Sequence, residues 1–126
     1  HELTDHWISQ YELILGTRSV ITHLSSQVSA YYLSDNVKER ITRLDERFDF
    51  LRLFKGGVFA YEFGLRKPNP ELYQKTLTKL GLLARETIFI DDKPENLPPA
   101  KKLGMKTILF TSPEELKTEL LILKLM

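Results

Sequence analysis

At 126 residues, 42% of them apolar and 28% charged, the chain has the length and composition of one globular domain with a single core. Its 18 basic and 17 acidic side chains leave a net charge of +1, so no overall field recruits nucleic acid or an anionic membrane. The absence of cysteine excludes a disulfide framework, a thiolate metal site and a thiol nucleophile, and suits a reducing, cytoplasmic setting.

The chain opens His1-Glu2-Leu3-Thr4-Asp5, with neither an initiator Met nor a signal-peptide pattern, and the numbering is expected to begin inside a longer protein. Trp7, Ile8, Tyr11, Leu13, Ile14 and Leu15 recur near helical spacing and predict a helix that stops at Gly16. A second helix starts near Thr17, with Val20, Ile21 and Leu24 on its inner face. Val28 to Leu33 reads as a strand, followed by the turn and cap residues Ser34-Asp35-Asn36 and a polar helix over Val37 to Phe48. Lys38 to Arg47 is best read as a solvated face.

Gly56-Gly57 opens a short strand from Val58 to Tyr61. Asn69-Pro70-Glu71 supplies a cap, a first-turn Pro and an acidic first turn; the helix turns Leu72, Tyr73, Leu77 and Leu80 inward and closes at Gly81. Thr87 to Ile90 is the next strand, and it runs directly into Asp91-Asp92. A helix containing Ala100 and Leu103 closes at Gly104, with Pro98-Pro99 in its first turn or before it. Lys106 to Phe110 is the last strand, and Ser112-Pro113-Glu114-Glu115 is a strong helix start. The Leu- and Ile-rich tail, Leu116 to Met126, reads as a helix docked on the core, with an oligomer contact as the next possibility. No stretch approaches the roughly 18 apolar residues of a spanning helix. Strands alternating with helices predict a doubly wound α/β sheet.

Right-handed crossovers bring strand carboxyl ends to one rim of such a sheet, so Ser34 and Asp91-Asp92 should share it, with Lys67 at a helix start within reach. Paired carboxylates repel unless a cation or protons share the site. Mg2+ suits them, because it binds through one or two carboxylates plus phosphate oxygens. Each residue alone has a plainer reading: Ser34 as a helix cap, Lys67 as a surface lysine, the acid pair as a solvated turn, and Asn96 as a turn residue supporting the acids. Their order along the chain favours a joint site. His1, His6 and His23 do not cluster at ligand spacing, which argues against zinc.

The same residues carry a family resemblance. Tyr31-Tyr32-Leu33-Ser34, Lys67-Pro68-Asn69-Pro70 with Glu71-Leu72-Tyr73, and Phe89-Ile90-Asp91-Asp92 with Asn96, Ala100 and Leu103-Gly104-Met105 resemble the second, third and fourth motifs of the haloacid dehalogenase-like (HAD) hydrolases. The match runs from about Thr17 to Phe110. The resemblance implies a Rossmann-like parallel sheet and Mg2+-dependent hydrolysis of a small phosphate monoester through an aspartyl-phosphate. It implies Ser34 as a phosphoryl-binding residue, Lys67 as the charge-neutralising cation, and Asp91 with Asp92 as metal ligands. Many relatives have Asn directly after the motif-two Ser; here Asp35 stands there, so Asn36 is taken as the substrate-binding partner.

The family's first motif, Asp-x-Asp after an apolar strand, does not occur in the chain; the acids before Ser34 are Glu2, Asp5 and Glu12. By the resemblance, its strand is the central one, between the Ser34 and Asp91 strands. The sheet is therefore expected to be incomplete: residues 1–16 as the end of a helical cap region, 17–126 as a partial core, and the chain inactive alone. Its partner would be the missing amino-terminal segment or a second copy. Two alternatives remain: a non-catalytic binding or assembly protein, and a haloacid dehalogenase, which needs no metal and leaves the acid pair unexplained.

Overall fold

A computed structural model describes residues 29–49 and 51–123. The two amino-terminal helices read from the sequence, and the boundary at residue 16, lie outside the described residues. Among the described residues, four short strands and four α-helices alternate: β1 (Tyr31–Ser34), α1 (Lys38–Phe48), β2 (Gly56–Phe59), α2 (Pro70–Leu80), β3 (Ile88–Asp91), α3 (Leu97–Lys102), β4 (Lys106–Leu109) and α4 (Pro113–Ile122).

The strands form two parallel pairs. β1 runs beside β2 from Tyr31 opposite Gly56 to Ser34 opposite Phe59, and β3 runs beside β4 from Ile88 opposite Lys106 to Asp91 opposite Leu109. Among the described residues the two pairs are separate sheets, β1–β2 and β3–β4. This is the incomplete, doubly wound α/β arrangement expected from the sequence.

Helices cover both faces of β3–β4. On one face α4 lays Leu116 and Leu120 over Ile108, with Ile88, Phe110 and Leu123 around them. The carboxyl-terminal tail is thus docked on the core through Leu123. On the other face Leu72 and Tyr73 of α2 and Ala100 of α3 pack with Ala60 and Met105, joined by Leu33 and Phe89. That second cluster reaches across from β1 to β3.

Local chemistry sets the ends of these elements. The Asn69 side chain accepts the Glu71 N–H and caps α2, and Ser112 accepts the Glu115 N–H and caps α4. Gly81 ends α2 at φ 68°, a left-handed conformation that glycine adopts without penalty. Pro98 and Pro99 lie in the first turn of α3, where no intrahelical N–H is needed.

Several strand boundaries differ from the sequence reading. Gly56 and Gly57 belong to β2 itself, and the Tyr32 ring occupies the space a side chain at Gly57 would need. Ala60 to Phe63 form a 3-10 turn instead of continuing the strand, because the Glu62 carboxylate folds back to accept the Phe59 N–H at 2.9 Å. Also, β3 extends one residue further than expected, so Asp91 is the last residue of the strand and Asp92 the first beyond it.

Candidate functional site

The carboxyl ends of β1 and β3 converge on Lys67. Its Nζ donates to Asp91 Oδ2 at 2.8 Å and to the carbonyl of Leu33 at 3.4 Å. The lysine therefore spans the two strand pairs, with its side chain 13% exposed and that of Asp91 6% exposed. The loop before α2, which holds Lys67, follows the 3-10 turn at residues 60–63; the Lys67–Pro68 peptide is cis.

Asp91 is engaged on both oxygens. Oδ2 also accepts the Asn96 Nδ2 at 3.2 Å, and Oδ1 accepts the Lys93 N–H at 2.9 Å. Burial opposes its charge, but the Lys67 ammonium, the Lys93 N–H and the Asn96 amide outweigh that and hold the carboxyl below the usual range. With about four lone-pair directions on a carboxylate, these three hydrogen bonds leave one on Oδ1. Asp92, by contrast, is exposed.

Ser34 ends β1 on the same rim. Its Oγ accepts the Asn36 N–H at 3.0 Å, which leaves the hydroxyl proton to donate elsewhere. Asn36 is exposed and joins the site through its backbone. Lys67, Asp91 and Asn96 are thus linked through named bonds, while Ser34 follows Leu33, whose carbonyl Lys67 meets, and Asp92 follows Asp91 in sequence.

Two hydrogen bonds at the site were not read from the sequence. Asp35 Oδ1 accepts the Lys67 N–H at 3.1 Å, so its carboxylate is turned to the Lys67 loop. The Tyr73 hydroxyl donates to the Asn96 carbonyl at 2.6 Å from a ring that is 1% exposed. Burial, then the charges of Asp91 and Asp35, push its phenol well above the usual value. The available signal was a tyrosine on an inward helix face, since a buried phenol needs a partner.

Among the described residues, no three acidic or histidine side chains cluster as a self-sufficient metal cage. Mg2+ does not need one: it keeps several waters and takes one or two carboxylates with phosphate oxygens. The exposed Asp92 and the remaining lone pair of Asp91 fit that habit. A shallow groove lined by Lys101, Met105, Thr107, Glu119 and Ile122 lies elsewhere and includes none of the site residues.

A family model for haloacid dehalogenase-like hydrolases matches residues 1–110. The chain belongs to that family. Two relatives illustrate the similarity. The chain is 35% identical over 75 residues to the mouse bifunctional epoxide hydrolase 2, covering 60% of this chain and 12% of that protein. It is 33% identical over 98 residues to a sesquiterpene phosphatase of Aspergillus oryzae, covering 74% of this chain and 48% of that one. The chain thus spans about half the length of these relatives or less. Among solved structures, a predicted HAD-like hydrolase from Porphyromonas gingivalis superposes with a TM-score of 0.71 at 23% identity, over 84% of this chain and 55% of that one. A HAD family enzyme from Bacteroides thetaiotaomicron, in complex with magnesium and inorganic phosphate, superposes with a TM-score of 0.68 at 24% identity, over 75% and 50%. At these identities the superpositions speak for the HAD fold.

Proposed function

We propose that this HAD-like hydrolase chain carries the phosphoryl-binding part of a Mg2+-dependent phosphate monoesterase. The observation that supports it most is Lys67, held between Leu33 O and Asp91 Oδ2 at the rim where Ser34 ends β1. A fixed ammonium and a donating hydroxyl on one rim suit the charge that develops on a phosphoryl group in transfer. In this reading Ser34 donates to a phosphoryl oxygen, and Lys67 neutralises charge. Asn36 contacts the substrate, and Asn96 steadies Asp91. Asp92, with the free lone pair of Asp91, would hold Mg2+, whose role is to polarise the phosphoryl oxygens. Phosphatases among the relatives, including a glyceraldehyde 3-phosphate phosphatase of Methanocaldococcus jannaschii, support a small phosphorylated substrate.

The nucleophile lies outside the motifs in hand, because the chain contains no Asp-x-Asp sequence. The 1–126 polypeptide is therefore expected to be silent alone, and the full-length protein active. The test is phosphate release by the full-length protein from a panel of phosphate monoesters, with Mg2+ and then with EDTA. Release with Mg2+, abolished by EDTA and by Lys67→Ala, is the expected result. Silence across the panel under both conditions would sink the phosphatase reading. It would favour the second one, a binding or assembly protein, which rests on the missing Asp-x-Asp.

A further inference from the structure

We propose that Asp35 is the positioning residue for Lys67, a role that deepens the phosphatase reading and rests on it for its catalytic consequence. Lys67 is gripped at both ends by the carboxyl end of β1. Its backbone N–H donates to Asp35 Oδ1 at 3.1 Å, across 32 positions of sequence, and its Nζ returns to Leu33 O at 3.4 Å. A lysine stem has four rotatable carbons and loses considerable freedom when held. Holding the backbone fixes where that stem begins. The Nζ can then meet Asp91 Oδ2 at 2.8 Å without the 60s loop searching for the position.

The geometry also resolves a difficulty in the sequence. An acid directly after Ser34 would repel a phosphate if it pointed at the rim. Its carboxylate accepts a backbone N–H instead, so its chemical use here is as an acceptor. An acceptor role makes a specific demand: asparagine offers the same Oδ1 without the charge, while alanine offers nothing. The tether is half-buried, and water can replace it at modest cost, so its loss should disturb positioning far more than folding.

The experiment compares Asp35→Ala and Asp35→Asn in the full-length protein, by three measurements. These are thermal midpoint, hydrogen-exchange protection of the Lys67 amide by NMR, and steady-state hydrolysis of p-nitrophenyl phosphate with Mg2+. Asp35→Ala should lose Lys67 amide protection and lower kcat by about tenfold or more, with KM changed less than about threefold. Its midpoint should move by about 5 °C or less. Asp35→Asn should retain both the protection and a kcat within about threefold of the parent. Equal impairment of the two variants would overturn the proposal, since charge and not the acceptor would then matter. Unchanged Lys67 protection in Asp35→Ala would overturn it as well. Should Asp35→Ala fail to fold, Asp35→Asn decides: preserved protection supports the tether, and lost protection refutes it. A parent protein silent toward every phosphate ester defeats the phosphatase reading, and the amide measurement still decides whether Asp35 positions Lys67.

Discussion

Lys67 and Asp91 form an ion pair that is largely out of water, and such pairs cost most when only one partner is removed. Lys67→Met leaves the Asp91 carboxylate with the Asn96 amide and the Lys93 N–H alone. We expect a loss of about 2–3 kcal/mol, toward the low end for a broken buried pair because Lys67 keeps some exposure. Urea denaturation of the two proteins checks it. Tyr73 provides a pH handle. Its native phenol titrates above the ordinary value of 10.0, so the unfolded chain loses that proton first as pH rises. The stabilisation is whole below about pH 10 and falls away above it. Tyr73→Phe should cost about 1 kcal/mol near neutral pH by removing the bond to the Asn96 carbonyl. The gap between parent and variant should narrow in denaturation curves taken above pH 10. The meeting of Lys67 with Asp91 was readable from their order in the chain, because each follows or precedes a recognisable element. Asp35 and Tyr73 were not, because their partners, Lys67 and Asn96, are distant in sequence and only the fold brings them within reach.

The elements themselves follow local chemistry closely. Caps at Asn69 and Ser112 and the stops at Gly81 and Gly104 lie where residue type alone puts them. Ser112→Ala should therefore lower stability by about 1 kcal/mol, the usual value of a helix cap, measured by thermal melting. Strand ends were harder to read. The backward reach of Glu62 to the Phe59 N–H turns residues 60–63 into a 3-10 turn, and strand propensity carries no trace of it. The two glycines of β2 differ just as sharply. A methyl at Gly56 would meet Tyr31 Cδ1 at 3.9 Å, an ordinary contact, whereas one at Gly57 would enter the Tyr32 ring. That ring is also held by Phe54 and Phe59, with centroids 5.7 and 5.4 Å away, and has little room to yield. Gly57→Ala should cost about 1–3 kcal/mol as overpacking, while Gly56→Ala stays close to neutral in the same denaturation assay.

At the scale of the molecule, the doubly wound class was legible because strands and helices alternate, each short strand followed by a capped helix. The division of the sheet was foreseen only through the family resemblance, since no local pattern announces an absent neighbour. Among the described residues, β1–β2 and β3–β4 share no ladder, and what joins them is the packing of Leu33 and Phe89 into one cluster together with the span of Lys67. Backbone hydrogen bonds usually make a sheet open as a unit, whereas among the described residues the link between the halves runs through side chains. Lys67 then belongs to the mechanics of the fold as well as to its chemistry. Without it the shared cluster remains as the link, and native-state hydrogen exchange on the Lys67→Met protein should show the opening free energies of β1 and β3 amides drawing apart. One ammonium group would thus help to set how closely the two strand pairs breathe together.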